Sequence, residues 1–187
     1  MALPLLFRRR RAVGGAEGTK ELESQVYRSF KTPAWAPPSW AFPVAWTLNT
    51  VALAATAQHL LVRPHSPRRN ELLAYLGLHT ALYATFSRVY FDERSPVLAA
   101  VWTLADFAVC HVGFYRALGP QRLAAMGFVP VNLWLTVAAP LALYQAGTNR
   151  DPYFGELGIE LQEILAAALD LTPLAPQEAP ATIPPSA

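Results

Sequence analysis

Charged side chains are absent from Thr32 to Val62, from Leu72 to Ser87 and from Leu123 to Asn149, and between Ser95 and Tyr115 a single acid, Asp106, interrupts the run. These four windows, 16 to 31 residues long, match the roughly 20 apolar residues that a helix needs to cross a bilayer. A helix on the surface of a soluble protein shows a polar face with a period of about 3.6 residues, and these windows do not. The pattern predicts four transmembrane helices, at about Phe42–Val62, Glu71–Phe91, Val97–Leu118 and Leu123–Gly147. Between them "RPHSPRR", "FDERSP" and "GPQR" read as turns, with Pro96 placed for the first turn of a helix. Pro130 and Pro140 fall inside the fourth helix. Each removes a backbone donor and is expected to kink it, which is tolerable where neighbouring helices satisfy the freed carbonyl.

Beyond the fourth window the period changes. In "GELGIELQEILAAALDL", Leu157, Leu161, Ile164, Leu165 and Ala168 share one face, while Glu156, Glu160, Glu163 and Asp170 supply acids. That predicts an amphipathic helix, too short and too acidic to span. The closing "TPLAPQEAPATIPPSA" is Pro- and Ala-rich and reads as disordered. At the other end, "MALPLLF" precedes "RRRR". That order is the reverse of a secretory signal and the apolar run is too short to span, so a basic tail on anionic headgroups is the favoured reading, with an organellar presequence as the alternative. The chain therefore divides into a basic tail at 1–26, a transmembrane domain at 27–150, and an amphipathic helix with a disordered tail at 151–187. With the N-terminus inside, ten basic residues lie inside and five outside. The positive-inside rule then puts both termini on the cytoplasmic side.

Composition agrees. Of the 187 residues 53% are hydrophobic and 15% charged, against roughly a quarter charged in soluble domains. The fold class is an all-α integral membrane protein. Cys110, the single cysteine, excludes a disulfide framework and a cysteine-based zinc site, and reads as small apolar packing. No phosphate loop, H-E-x-x-H or G-x-S-x-G motif is present, so no catalytic motif and no required cofactor or metal is read. Nucleic-acid binding is a poor reading of "RRRR" in a mostly apolar chain.

Residues 32–46, "TPAWAPPSWAFPVAW", stand out. Pro33, Pro37 and Pro38 stiffen an extended loop, and Trp35, Trp40, Phe42 and Trp46 give it a wide aromatic surface. An interfacial aromatic belt explains the aromatics but not two tryptophans flanking a double proline. The longer run "YRSFKTPAWAPPSWAFPVAW" resembles the signature Y-x-x-L-x-K-P-x-W-x-P-P-x-W-x-F-x-x-x-W of the TspO/MBR family, the tryptophan-rich sensory and translocator proteins. Tyr27, Pro33, Trp35, Pro37, Pro38, Trp40, Phe42 and Trp46 fall in register. "PVNLW" at 130–134, followed by Ala138 and Leu141, resembles the family's P-Y-x-L-W-x-x-x-A-x-x-L.

The resemblance implies five spans, of which this chain apparently lacks the first, and a pocket lidded by the Pro/Trp loop. It implies tetrapyrrole (porphyrin or haem), sterol or synthetic aromatic ligands, handled as sensor, regulator or carrier. The positions it carries over are Tyr27, Trp46, His79, Phe107, Trp134 and Ala138, with Trp35 and Trp40 from the lid. His79 and Leu82 replace the family's usual asparagine and tryptophan, and Ala142 its late asparagine. A flat apolar ligand wants aromatic faces and few polar anchors, and Asp106 is the candidate anchor. A mid-membrane acid is paired or functional; His79 and His111 are its candidate partners, and interhelical glue competes with a ligand or proton role. His79 itself could meet a haem iron or a porphyrin carboxylate, or simply pack. Leu141, Tyr144 and Arg150 fit a weak cholesterol pattern. Ala138, Ala142 and Ala146 form a small-residue ridge for close contact within the chain or in a homodimer. Two further readings compete with ligand binding: light-dependent porphyrin degradation involving Trp35 and Trp40, and a ligand-free partner-binding relative. Membrane lipid is the expected surrounding partner.

Overall fold

A computed structural model describes residues 16 to 168 other than residue 120. The "RRRR" segment and the Pro/Ala-rich tail lie outside the described residues. Six α-helices follow in order: α1 (Ala16–Ser29), α2 (Ala41–Leu61), α3 (Pro67–Ser87), α4 (Pro96–Ala117), α5 (Arg122–Thr148) and α6 (Leu157–Ala168). A π-helical turn, Arg88–Asp92, extends α3. One isolated bridge, Asp151 to Gly155, is the sole extended pairing among the described residues.

The helices α2 to α5 coincide with the charge-free windows, and the differences have local causes. Helix α3 starts at Pro67 rather than near Glu71, because Ser66 caps it: its Oγ accepts from Arg69 N at 3.2 Å, with Pro67 opening the first turn. Ser95 and Pro96 repeat that arrangement for α4, with Leu98 N at 3.1 Å. Arg69 is not a solvated turn residue. It is buried, and its guanidinium donates to the carbonyls of Leu60 at 2.8 Å and Leu61 at 3.3 Å, closing the C-terminus of α2. Helix α1 runs across residue 26. Residues 16–29 form a helix, with Val26 packed among Val89, Tyr90 and Ala99.

The bundle exposes apolar side chains and buries polar ones alongside its apolar core. Leu48, Val51, Leu78, Val101, Val112, Leu133 and Leu143 are exposed, while Asn49, Thr56, His79, Thr103, Asp106, Asn132 and Gln145 are buried. That inversion suits a hydrocarbon solvent, in which polar groups must be satisfied internally. The apolar core runs through Leu53, Leu60, Leu72, Leu76, Phe128, Val131 and Leu135. Helix α5 is the hub, packed on both α4 and α2. Gly113 admits the Phe128 ring, which a Cβ there would meet at 3.0 Å. Ala142 and Ala146 of the small-residue ridge close on Ala100 of α4, within the chain. Helix α5 runs unbroken through Pro130 and Pro140. Two helices, α4 and α5, are long and apolar enough throughout to cross a membrane. Asn49, Gln58 and His59 dilute α2, and Arg68, Arg69 and Glu71 dilute α3.

Candidate functional site: an aromatic-walled cavity

The Pro/Trp loop is tied down at both ends. Asn149, just past α5, accepts from Lys31 N at 2.8 Å and donates back to Lys31 O at 3.3 Å. Tyr27 of α1 donates its hydroxyl to Pro37 O at 3.1 Å. Between and just beyond those ties the prolines turn the chain, with Ala36 N bonded to Pro33 O and Ala41 N to Pro38 O. The loop thus delivers Phe42 and Trp46, on the first turns of α2, against α5.

Below it lies a cavity of about 760 Å³, within the roughly 300–1,000 Å³ of small-molecule sites. A relay of rings forms one wall. Tyr27 meets Phe42 at 5.0 Å, Phe42 meets Trp134 at 5.1 Å, Trp134 meets Trp46 at 6.4 Å, and Trp46 meets Tyr83 at 4.5 Å. These edge-on and tilted contacts suit ring quadrupoles. Ala138, Leu135, Leu141 and Ala142 of α5 supply the aliphatic side. Asp106, Thr103 and Gln145 are the buried polar groups of the lining, which also includes Glu23, Ser24, Ser39, Thr47, Thr50 and Ser87. Trp134 Nε1 and Gln145 Nε2 are buried donors with no partner among the described residues. Gln145 Oε1 accepts from Tyr90 OH at 3.1 Å.

Of the positions singled out in the sequence, Tyr27, Trp40, Trp46, Trp134, Ala138 and Asp106 line the cavity. Trp35, Phe107 and His79 do not. Trp35 is an exposed loop residue. Phe107 lies one residue, about 100° of helix, from Asp106. Its ring packs against the core cluster and sits 4.3 Å from His111. His79 is buried behind Asp106, with Nδ1 2.7 Å from Asp106 Oδ1. His111 takes no part in that pair, so the helix-to-helix alternative is the one the fold adopts. Tyr83, Tyr90 and Gln145 were not singled out by sequence. They come from three separate elements, and only Gln145, a polar residue in an apolar run, carried a signal.

An apolar exterior, buried polar groups within an apolar core and a cavity walled by rings define an all-helical membrane protein with a small-molecule-sized internal space. The chain belongs to the TspO/MBR family, whose model matches residues 3–145. It is 31% identical to Protein CrtK of Rhodobacter capsulatus over 139 residues, covering 70% of this chain and 82% of that protein. It is 26% identical to a tryptophan-rich sensory protein of Cereibacter sphaeroides over 117 residues, covering 62% and 71%. With the tryptophan-rich protein TspO of Chlorobaculum tepidum it shares 27% identity over 138 residues, covering 70% and 84%.

Proposed function

We propose that this protein is a multi-pass membrane protein that binds a flat, largely apolar small molecule, a tetrapyrrole or a sterol-like lipid, and acts as its sensor, regulator or carrier. The observation that carries the reading is the cavity of about 760 Å³ beneath the Pro/Trp loop, walled by Tyr27, Phe42, Trp46, Tyr83 and Trp134. Aromatic faces hold a planar apolar guest by area and offset stacking. The unpaired Trp134 and Gln145 N–H groups favour a guest with an acceptor on its rim, since pairing them recovers the cost of a buried orphan donor. In this reading α2 to α5 all cross the bilayer and both termini face the cytoplasm. The apolar outward faces of these helices support the crossing, and the charge balance of the loops supports the orientation.

The test is titration of the purified protein in detergent with protoporphyrin IX and, separately, a fluorescent sterol, each followed by the ligand's own spectrum. Ala138→Trp, which fills the cavity, is expected to weaken binding at least tenfold, or about 1.4 kcal/mol. Trp35→Ala, on the exposed loop, is expected to change it less than about twofold. Wild-type affinity in Ala138→Trp would place any guest elsewhere.

A further inference from the structure

Beside the cavity floor, three potential metal ligands converge from two helices. Asp106 and Cys110 lie four residues apart on α4 and therefore on one face, one above the other. His79 of α3 meets them from across the bundle. His79 Nδ1 is 2.7 Å from Asp106 Oδ1 and 3.4 Å from Cys110 Sγ, and Cys110 Sγ is 3.7 Å from Asp106 Oδ1. All three residues are buried.

We propose that His79, Asp106 and Cys110 form a binding site for a single borderline-soft divalent cation of the zinc class, a mixed-ligand site with one sulfur, which a single cysteine permits where it excludes a site built of several cysteines. The proposal stands independently of the identity of any guest in the cavity. Geometry is its first support. With bonds of about 2.0–2.2 Å to nitrogen and oxygen and about 2.3 Å to sulfur, tetrahedral ligand atoms stand about 3.3–3.6 Å apart. Both separations to sulfur already lie near that range. The His79–Asp106 separation is a hydrogen bond, and it opens by about half an ångström when a cation of those bond lengths replaces the shared proton.

Charge is the second support. A thiolate, a carboxylate and a neutral imidazole cancel a dication, so the loaded site is neutral overall. Neutrality is what a low-dielectric interior admits, because an uncompensated buried charge is costly. Binding displaces the Cys110 thiol proton and the proton shared by His79 and Asp106.

Orientation is the third. The Tyr83 ring stacks parallel to His79, 6.2 Å away. Asn132 of α5 donates to Cys110 O at 3.2 Å and to Phe128 O at 2.8 Å, fixing the α4 backbone that carries the sulfur. Such outer contacts hold ligands in register before a metal arrives. Asp106 also lines the cavity, so a cation held here sits beside that space, and three protein ligands are the number found in open sites that accept water or a small molecule.

The test uses the full chain, tag removed, reduced and chelator-stripped, in detergent. Titration with Co²⁺ is expected to saturate at about one equivalent and to raise a near-ultraviolet thiolate-to-cobalt charge-transfer band. Zn²⁺ should bleach that band. Cys110→Ser is expected to abolish it, and His79→Ala to weaken binding at least tenfold. His59→Ala, outside the cluster, should leave both unchanged. X-ray absorption at the zinc edge on the wild type needs no variant to fold and should find one sulfur among nitrogen and oxygen neighbours. Absence of the band from wild type, its survival in Cys110→Ser, or a zinc shell without sulfur overturns the proposal.

Discussion

Replacing His79 by leucine removes one partner of a buried pair while keeping much of the side-chain volume. In the native bundle the His79 and Asp106 side chains are 7% and 6% exposed and their polar atoms 2.7 Å apart. Water therefore cannot take over from the lost partner as it does at a surface. Stripping one member from a buried hydrogen-bonded pair that includes a carboxyl costs about 3–5 kcal/mol. The Cys110 thiol at 3.7 Å can still donate to Asp106, which argues for the lower end. At about 2–4 °C per kcal/mol for a chain of this size, the midpoint should fall by roughly 6–12 °C. Asp106→Asn keeps an acceptor for the imidazole and should cost only about 1 kcal/mol. The double replacement His79→Leu/Asp106→Leu leaves no orphan and should come back close to wild type, as buried pairs exchanged for apolar side chains often do. The measurement is unfolding of these four proteins and of Asp106→Leu in one detergent with a chelator present, so that metal binding plays no part. A His79→Leu protein within about 0.5 kcal/mol of wild type would refute the claim that this pair is energetically coupled. A double variant as weak as the sum of the two single leucine variants would refute it independently.

Three further outcomes are expected. Gly158→Ala would press a Cβ onto the Ala146 carbonyl, so α6 should lift from α5 at a cost of about 1–3 kcal/mol, seen as faster proteolysis within Leu157–Ala168; unchanged cleavage would count against that docking. Asn149→Ala removes both bonds to Lys31, and hydrogen exchange across residues 31–40 should quicken about tenfold while α4 stays protected. Tyr153 donates to Glu93, and this contact raises its phenol pKa above the ordinary value of 10.0. A raised pKa means the contact contributes fully below about pH 10 and is lost as pH climbs through the higher folded value. The Tyr153 ultraviolet titration should therefore shift back down in Glu93→Gln; an unmoved curve would exclude the pairing.

The parts of this fold legible in the sequence are those a bilayer imposes residue by residue. Charge-free runs placed α2 to α5 to within a few residues, except where the Ser66–Pro67 cap started α3 early. A 3.6-residue period placed α6, and prolines with tryptophans placed the loop. The hydrophobic pattern did not find α1, because Ala16–Ser29 is mostly polar and only residues such as Val26 face the bundle. Motif membership carries no statement about which way a ring turns, and Trp35 and Phe107 lie outside the cavity lining.

What escaped the sequence most completely is the pairing of polar groups across helices. His79 and Asp106 are 27 residues apart, and Tyr90 and Gln145 are 55 apart. No period links such positions, because the partner lies on a different helix and its register is set by packing. In an apolar solvent these pairings are also the least negotiable, since an orphaned group has no water to fall back on. This explains a second regularity of the bundle. Of its buried polar residues Thr103, Asp106 and Gln145 line the cavity and His79 sits directly behind Asp106. A guest that enters beneath the Pro/Trp loop reaches Asp106 before anything else charged among the lining side chains of α2 to α5, and Asp106 is already engaged with His79. Any ligand that competes for that carboxylate must therefore disturb the α3–α4 contact, whereas one that meets only the rings leaves it intact. Binding measured in wild type and in His79→Leu/Asp106→Leu separates the two cases. Equal affinity means the rings alone hold the guest, and a tenfold loss means the pair is part of the site.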